Sequence, residues 1–362
     1  MVRLATATAA QGDVVDLILV RASGPYLPDV PDTVRIVELG TRGVLTGLPK
    51  LVRYLREDHP DAIVSTLPHA NIVLVLAARL ARAETIAIVR EASTRSARQF
   101  EGAAVKDRMV GVLIRFAYRH ADAVVAVSNG VAADLQRRFG IPEYLLHVIY
   151  NPVVDDDTDA RAAGPLEDAW FAPDAPPVVL SVGRLSPEKD FSTLIRAFAT
   201  LRRNREARLV ILGEGRERRR LEELIDILQV GSDVRLPGFV ADPYPYMARA
   251  GVYVLSSIRE GLPGALIQAM ACGARIVSTD CPSGPAEILL DGELGDLVPM
   301  GDAEKMAASI ESALDRPKDR ARLLARGAEF STSRSLRAYT DLIDRLASHR
   351  LSFPMPHHDV RR

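Results

Sequence analysis

PVVLSVGRLSPEKDFSTLIRAFATLRRNREARLVILGEG, residues 177–215, reads as a strand over Val178–Val182, a turn containing Gly183, a helix over Phe191–Arg203, a strand over Arg208–Leu212 and a second turn at Gly213 and Gly215. Short β-branched runs separated by helical periodicity are the pattern of parallel strands joined by crossover helices, since parallel neighbours cannot be closed by a hairpin. The alternation continues downstream through strands at Val234–Leu236, Val252–Leu255 and Arg275–Thr279, with helices near Tyr244–Ala250 and over Pro263–Cys272. Upstream, strands are expected at Val14–Val20, Val34–Leu39, Ala62–Ser65, Thr85–Val89, Ala123–Val127 and His147–Tyr150, most of them separated by helical patterns. The fold class is therefore α/β, with two doubly wound, Rossmann-like domains facing a cleft at the carboxyl edges of their strands.

Asn151-Pro152 and the polar run Asp155–Asp159 mark a boundary, which gives an N-terminal domain over 1–151, a linker over 152–176 and a C-terminal domain over 177–350. Residues 351–362, with two prolines and His357-His358, read as a tail without structure. The chain has 362 residues, 46 basic against 47 acidic, so no global field favours nucleic acid as a partner. Its two cysteines, Cys272 and Cys281, lie far from any histidine cluster, which argues against a zinc site and against a disulfide framework. No apolar run reaches the length of a membrane span, and no basic region followed by an apolar core opens the sequence. A soluble, cytoplasmic protein is expected.

The chemistry-bearing residues stand where strands end. Gly183 lets the backbone approach a ligand, Arg184 offers a planar fork for phosphate oxygens and Lys189 adds a point charge, a set suited to a diphosphate; amides at the start of the following helix would assist. A Gly-Arg pair at a strand end also suits a plain turn with a solvated cation. Gly213 and Gly215 close the next strand, which is also the pattern of a tight turn. Gly238 and Phe239 follow the strand after it and offer backbone and an apolar face to a nucleobase, or a turn before a core aromatic. Glu260 then precedes Gly261-Leu262-Pro263, with a helix opening at about Pro263 and Gln268 one to two turns inside it. A carboxylate at the helix entrance and an amide eight residues on can touch different parts of one extended ligand, such as a sugar joined through phosphate to a ribose.

Taken in order and spacing, Gly183-Arg184 with Glu188-Lys189, Gly213-Glu214-Gly215, Pro237-Gly238-Phe239 and Glu260-Gly-Leu-Pro with Gln268-Ala-Met-Ala resemble the retaining glycosyltransferases of family 4. Asp280-Cys-Pro-Ser-Gly-Pro-Ala-Glu287 resembles the family's next turn and helix, and Ala121–Gly130 and Val148–Val153 look like its last N-terminal strands and its crossover. The resemblance implies a GT-B fold, a nucleoside-diphosphate sugar donor, a glycan or lipid-linked acceptor, and no metal or other cofactor. It implies diphosphate binding by Arg184 and Lys189, sugar contacts by Glu260 and the amides after it, and base contacts near Gly238 and Phe239. Gln268 stands where the family usually has a second glutamate for the ribose. His69, in Leu67-Pro-His69-Ala-Asn71, is a candidate for a catalytic or sugar-binding role on the acceptor side, although Thr66 lies nearer the family's usual histidine position. Arg90-Glu91 is a candidate for acceptor hydroxyls.

Family members usually open with a strand, a Gly-rich loop and a helix, whereas Met1–Gln11 reads as the tail of that helix, so about 20 to 30 residues of one βα unit are expected to be absent. Either the true start lies upstream, or the chain lacks an inner strand and an active-site loop and is a weakened enzyme or a partner subunit. Transfer is favoured over an epimerase or phosphorylase by Glu260 and Gln268, since fold alone does not decide reaction. The Asp155-Asp156-Asp157 run reads as solvated linker rather than a metal site. Val105–His120 is amphipathic, with Lys106, Arg108, Arg115 and Arg119, and offers weak peripheral contact with anionic lipid.

Overall fold

The computed structural model describes residues 1–24, 27–94 and 104–352, the side chains of 104–109 and 351–352 apart; the proposed tail at 353–362 and the charges of Lys106 and Arg108 lie outside the described part. The N-terminal half runs α1 (Val2–Ala10), β1 (Val15–Leu19), β2 (Val34–Glu38), α2 (Leu48–Glu57), β3 (Ala62–Thr66), α3 (Pro68–Ala81), β4 (Ile86–Glu91), α4 (Ala104–Arg119), β5 (Ala123–Ala126), α5 (Asn129–Phe139) and β6 (Leu146–Val148). After α6 (Thr158–Ala162) come β7 (Val178–Val182), α7 (Phe191–Arg202), β8 (Arg208–Leu212), α8 (Arg218–Ile227), β9 (Val234–Gly238), α9 (Tyr244–Arg249), β10 (Val252–Leu255), α10 (Gly264–Ala271), β11 (Ile276–Thr279), α11 (Pro285–Ile288), β12 (Asp296–Val298), α12 (Ala303–Asp315), α13 (Arg320–Gly327) and α14 (Thr332–Ser352).

In the C-terminal half, the six strands β7–β12 form one parallel sheet in the order β12-β11-β10-β7-β8-β9. The connection from β7 runs outward to β8, and the chain returns to the other side of β7 through β10. The order therefore reverses between β7 and β10, and the loops leaving these two strands splay apart at the carboxyl edge. Helix α7 shows why the sheet is stable. Leu194, Ile195 and Phe198 lie on one side of it and are completely buried with Val179, Leu209 and Ile211 of the sheet. Each such side chain contributes about 1.5–3 kcal/mol on removal from water.

The N-terminal half divides. Strands β3–β6 form a four-stranded parallel sheet, while β1 and β2 pair only with each other. All residues of β1 and of β3 are half-buried, whereas β4 and β5 are almost wholly buried, so the break falls between β1 and β3. Ile18 and Ile63, from the two sheets, pack on the same α2 and α3 side chains, Leu51, Leu55, Val73 and Ala77. On the opposite face, Leu4 of α1 shares a core with β4, β5 and Leu336, Tyr339 and Leu342 of α14. The final helix, grouped with the C-terminal domain by sequence, thus packs against the N-terminal sheet. Arg3 anchors α1 to the crossover through the Val153 carbonyl at 2.7 Å and Asp155 at 3.2 Å. Asp155 also accepts from Thr332 Oγ1 at 2.5 Å, so this end of the acidic run is a structural tie rather than solvated linker.

Candidate functional site

The reversal between β7 and β10 brings two sequence-distant loops together. Residues 183–190 leave β7 and residues 256–263 leave β10. Ser256 Oγ donates to the Lys189 carbonyl at 2.7 Å, and the Ile258 amide donates to the Glu188 carbonyl at 2.9 Å. On this frame Lys189 Nζ lies 2.5 Å from Glu260 Oε1, which also accepts from Ser257 Oγ at 2.7 Å. Their side chains keep 21 % and 12 % exposure, so the pair is largely withdrawn from solvent yet not sealed from it. Arg184 is exposed beside it and, among the described residues, forms no ion pair. The Tyr253 hydroxyl is completely buried and has no hydrogen-bond partner of good geometry among the described residues; burial, and then the nearby Glu260 charge, push its pKa up and keep it protonated.

Other candidates hold the loops rather than line the opening. A Cβ on Gly213, whose φ is +148°, would stand 1.9 Å from the Gly183 carbonyl oxygen, and one on Gly215 would stand 2.2 Å from that of Leu185. Both glycines are required so that the β8 turn can lie against the β7 loop, with the Leu185 amide donating to the Glu214 carbonyl at 2.9 Å. The Gly238 carbonyl accepts from the Gly213 amide at 2.8 Å, and Phe239 beyond it is 76 % exposed rather than a core aromatic. The amino end of α7 was expected to assist phosphate binding. Asp190 caps this end, accepting from the Thr193 amide at 3.3 Å and its hydroxyl at 2.6 Å.

Gly261, Leu262 and Pro263 are buried, and α10 begins one residue later than expected, with Pro263 as its N-cap and Gly264 its first residue. Gln268 points its Nε2 at the Tyr244 hydroxyl, 3.2 Å away, and Arg161 stacks over that Tyr244 ring at 4.2 Å while pairing with Asp242. One N–H of the Gln268 amide is therefore given to α9, and its carbonyl oxygen is an acceptor that a ligand hydroxyl can use. His69 sits exposed in the first turn of α3, at the carboxyl edge of β3, with no hydrogen bond to its ring among the described residues. Leu67, which precedes that helix, holds a φ of +78°, an unusual conformation for leucine. Arg90 is taken up by Thr66 and Asn151, at 2.8 and 2.5 Å, and Glu91 is buried against the Tyr118 hydroxyl at 2.8 Å, so both act inside the N-terminal half rather than reaching outward.

Sequence reading missed the groups that join the two halves at this site. Ser128 Oγ lies 2.9 Å from the Gly261 carbonyl and 2.8 Å from Ser283 Oγ. Glu287 accepts from the Asn129 amide at 2.9 and 3.0 Å, the Asn129 side chain at 2.7 Å and the Tyr150 hydroxyl at 2.7 Å. Separations of more than 130 residues carry no local signal, although the serine before α5 is a recognisable N-cap. Among the described residues, no three His, Cys, Asp or Glu side chains converge to hold a metal, and no helix is long and apolar enough to cross a membrane.

Two family models match the chain: Glycosyltransferase Family 4 over residues 1–157 and Glycosyl transferases group 1 over 166–330. Over 206 residues the chain is 34 % identical to the N-acetylgalactosamine-N,N'-diacetylbacillosaminyl-diphospho-undecaprenol 4-alpha-N-acetylgalactosaminyltransferase of Campylobacter jejuni, covering 57 % of this chain and 54 % of that protein. It is 29 % identical over 352 residues, 94 % of each chain, to the lipopolysaccharide core biosynthesis glycosyltransferase LpsE of Rhizobium meliloti. The structure of Anabaena HepE in complex with UDP superposes with a TM-score of 0.74 at 20 % identity, covering 97 % of this chain and 95 % of that one, and shares the fold.

Proposed function

Because the chain belongs to the family 4 glycosyltransferases, its two halves matching the family's two models, we propose that it transfers a sugar from a nucleoside diphosphate to an acceptor hydroxyl with retention at the anomeric carbon. The observation that carries this reading is the contact of Lys189 with Glu260 at the reversal point of the C-terminal sheet, with Arg184 exposed on the same loop as Lys189. The bond from the anomeric carbon to the leaving phosphate oxygen breaks, a bond to the acceptor oxygen forms on the same face, and the acceptor proton passes to the leaving diphosphate. Arg184 and Lys189 neutralise the charge that develops on that diphosphate, a term best supplied by groups fixed in advance. Glu260 orients the sugar by accepting from its hydroxyls, and the Gln268 carbonyl accepts from the ribose. With two cations assigned to the diphosphate the reading invokes no metal, so turnover is expected to survive a chelator. A radiolabelled nucleotide-sugar assay on the wild type, Arg184→Ala and Lys189→Ala tests the reading; undiminished transfer in both variants refutes it.

The names of the relatives point to lipopolysaccharide and lipid-linked glycans as acceptors. One surface supports acceptors of that kind. On the described part of α4, Ile114, Ala117 and Tyr118 are buried, while the opposite face exposes Val112, Leu113 and Phe116 at 64, 46 and 43 % together with Arg115 and Arg119. Leu80 of α3, 56 % exposed, lies in the neighbouring helix, whose Arg79 sits over the Phe116 ring at 6.0 Å. Apolar side chains ringed by arginines, without a carboxylate between Val110 and His120, suit the surface of an anionic bilayer. Sedimentation with vesicles containing phosphatidylglycerol, lost in Phe116→Ser and in neutral vesicles, is the expected result.

The break between β1 and β3 favours a second reading, in which this form binds the donor and turns it over weakly. Donor binding by calorimetry without measurable transfer to any acceptor supports the second reading against the first.

A further inference from the structure

Besides the packing of α14 on the N-terminal sheet, the halves meet on the turn that carries Glu260. A Cβ on Gly261 would stand 2.0 Å from the Ala92 carbonyl oxygen, and Thr94 Oγ1 reaches the Glu260 carbonyl at 3.4 Å, so the N-terminal half lies directly on that turn. From the same side, Ser128, the N-cap of α5, shares two hydroxyl protons with Ser283 and the Gly261 carbonyl, and all three residues are buried. A Cβ on Gly130 would stand 2.6 Å from Ser283 Oγ, which leaves the α5 end no room to approach further. Outside this buried centre, the Glu287 carboxylate spans the halves and takes two N–H groups of Asn129 and the Tyr150 hydroxyl. Asn129 is the first residue of α5, so the carboxylate also meets the positive end of that helix dipole. On the C-terminal side it is fixed by its own backbone, whose carbonyl accepts from Arg326 Nη2 at 2.7 Å.

We propose that Glu287 is a positioning residue: by clasping the amino end of α5 it holds the two halves closed on the Gly261 turn and so sets Glu260 in place for transfer. This rests on the transferase reading above. None of the clasp atoms belongs to the Arg184, Lys189 and Glu260 set, so loss of the clasp lowers turnover without removing a donor contact. Hydrogen bonds to a charged group are among the stronger ones, and their loss lowers the closed-to-open ratio about tenfold or more.

The test compares wild type, Glu287→Ala, Glu287→Gln and Gly130→Ala in the full chain. Spin labels at Arg137→Cys on α5 and Glu223→Cys on α8 report the distance between the halves; both native thiols are buried and leave the introduced ones to be labelled. The expected result is a single narrow distance in the wild type, a broader and longer distribution in Glu287→Ala and Gly130→Ala, and an intermediate one in Glu287→Gln, which keeps one acceptor oxygen. With the same variants, nucleoside diphosphate affinity is expected to hold while kcat falls about tenfold for Glu287→Ala, with partial rescue by Gln. Unchanged distances and kcat in both Glu287→Ala and Gly130→Ala overturn the proposal. Failure of the wild type to bind any nucleoside diphosphate defeats the transferase reading instead, and leaves the distance measurement as an independent test of the clasp.

Discussion

Neutralising Glu260 should destabilise the C-terminal half, and neutralising its partner as well should restore it. At 2.5 Å the attraction between Lys189 and Glu260 is about 7 kcal/mol in an effective dielectric of about 20, but most of it is offset by desolvating two charges that keep only 21 % and 12 % exposure. The residual exposure reduces the cost of leaving one charge alone below that of a fully buried pair, to about 2 kcal/mol. Glu260→Gln and Lys189→Met should each lose that much, or about 4–8 °C in Tm for a domain of this size. The double variant leaves no lone charge and should lose less than about 1 kcal/mol, a coupling of about 3–4 kcal/mol in thermal unfolding followed by circular dichroism. The functional arm has a fixed sign. Lys189 must turn from Glu260 to reach a diphosphate, so Glu260→Gln should bind a nucleoside diphosphate as tightly as wild type or up to about tenfold more tightly, and Lys189→Met more weakly. Single losses that add to within about 0.5 kcal/mol in the double variant, or weaker diphosphate binding by Glu260→Gln, would refute the reasoning.

Gly261→Ala should cut turnover about a hundredfold, because ordinary contact at 3.4 Å requires the new Cβ to withdraw about 1.4 Å from the Ala92 carbonyl; Gly264→Ala, whose Cβ would meet only Val153 at 4.0 Å, is the control and should match wild type. Tyr253→Phe removes a buried hydroxyl that has no hydrogen-bond partner of good geometry among the described residues and should change stability by less than about 1 kcal/mol; a larger loss in thermal unfolding would show that the hydroxyl is firmly bonded. Burial pushes both cysteine thiols up to about 12 from an ordinary 9.0, so at pH 8 neither should react with a thiol reagent until the chain unfolds, and rapid native modification would contradict the packing. Burial and then the Glu287 bond push the Tyr150 hydroxyl up from 10.0 to about 12, so above pH 10 the unfolded chain holds fewer protons than the folded one. Stability should therefore fall as pH rises through this interval, and Tyr150→Phe should flatten that fall.

Much of the fold is written locally. A β-branched run such as Val178–Val182, followed by Gly183 and a helix pattern, needs no distant information to be read, and the five expected C-terminal strands lie within a few residues of their places, whereas the three-residue edge strand β12 was not anticipated. Lys189 and Glu260 were legible as charges at strand ends for the same reason. Their pairing was not, because 71 positions separate them and only the reversal between β7 and β10 makes them neighbours. Gly213 and Gly215 show the opposite case: the residues were plain, but their close packing on Gly183 and Leu185 is set by the neighbouring strand's turn.

By itself, then, the sequence determined the parallel α/β class, the chemistry standing at each strand end and the family, since all three depend on periodicity, residue type and short spacing. Tertiary structure alone decided that Glu260 is held by Lys189, that the Gln268 amide gives one N–H to Tyr244, and that Glu287 clasps Asn129 across the halves. The physical reason is that a hydrogen bond or ion pair is a matter of a few ångströms in space, and a local pattern holds no record of which distant strand will bring its partner there.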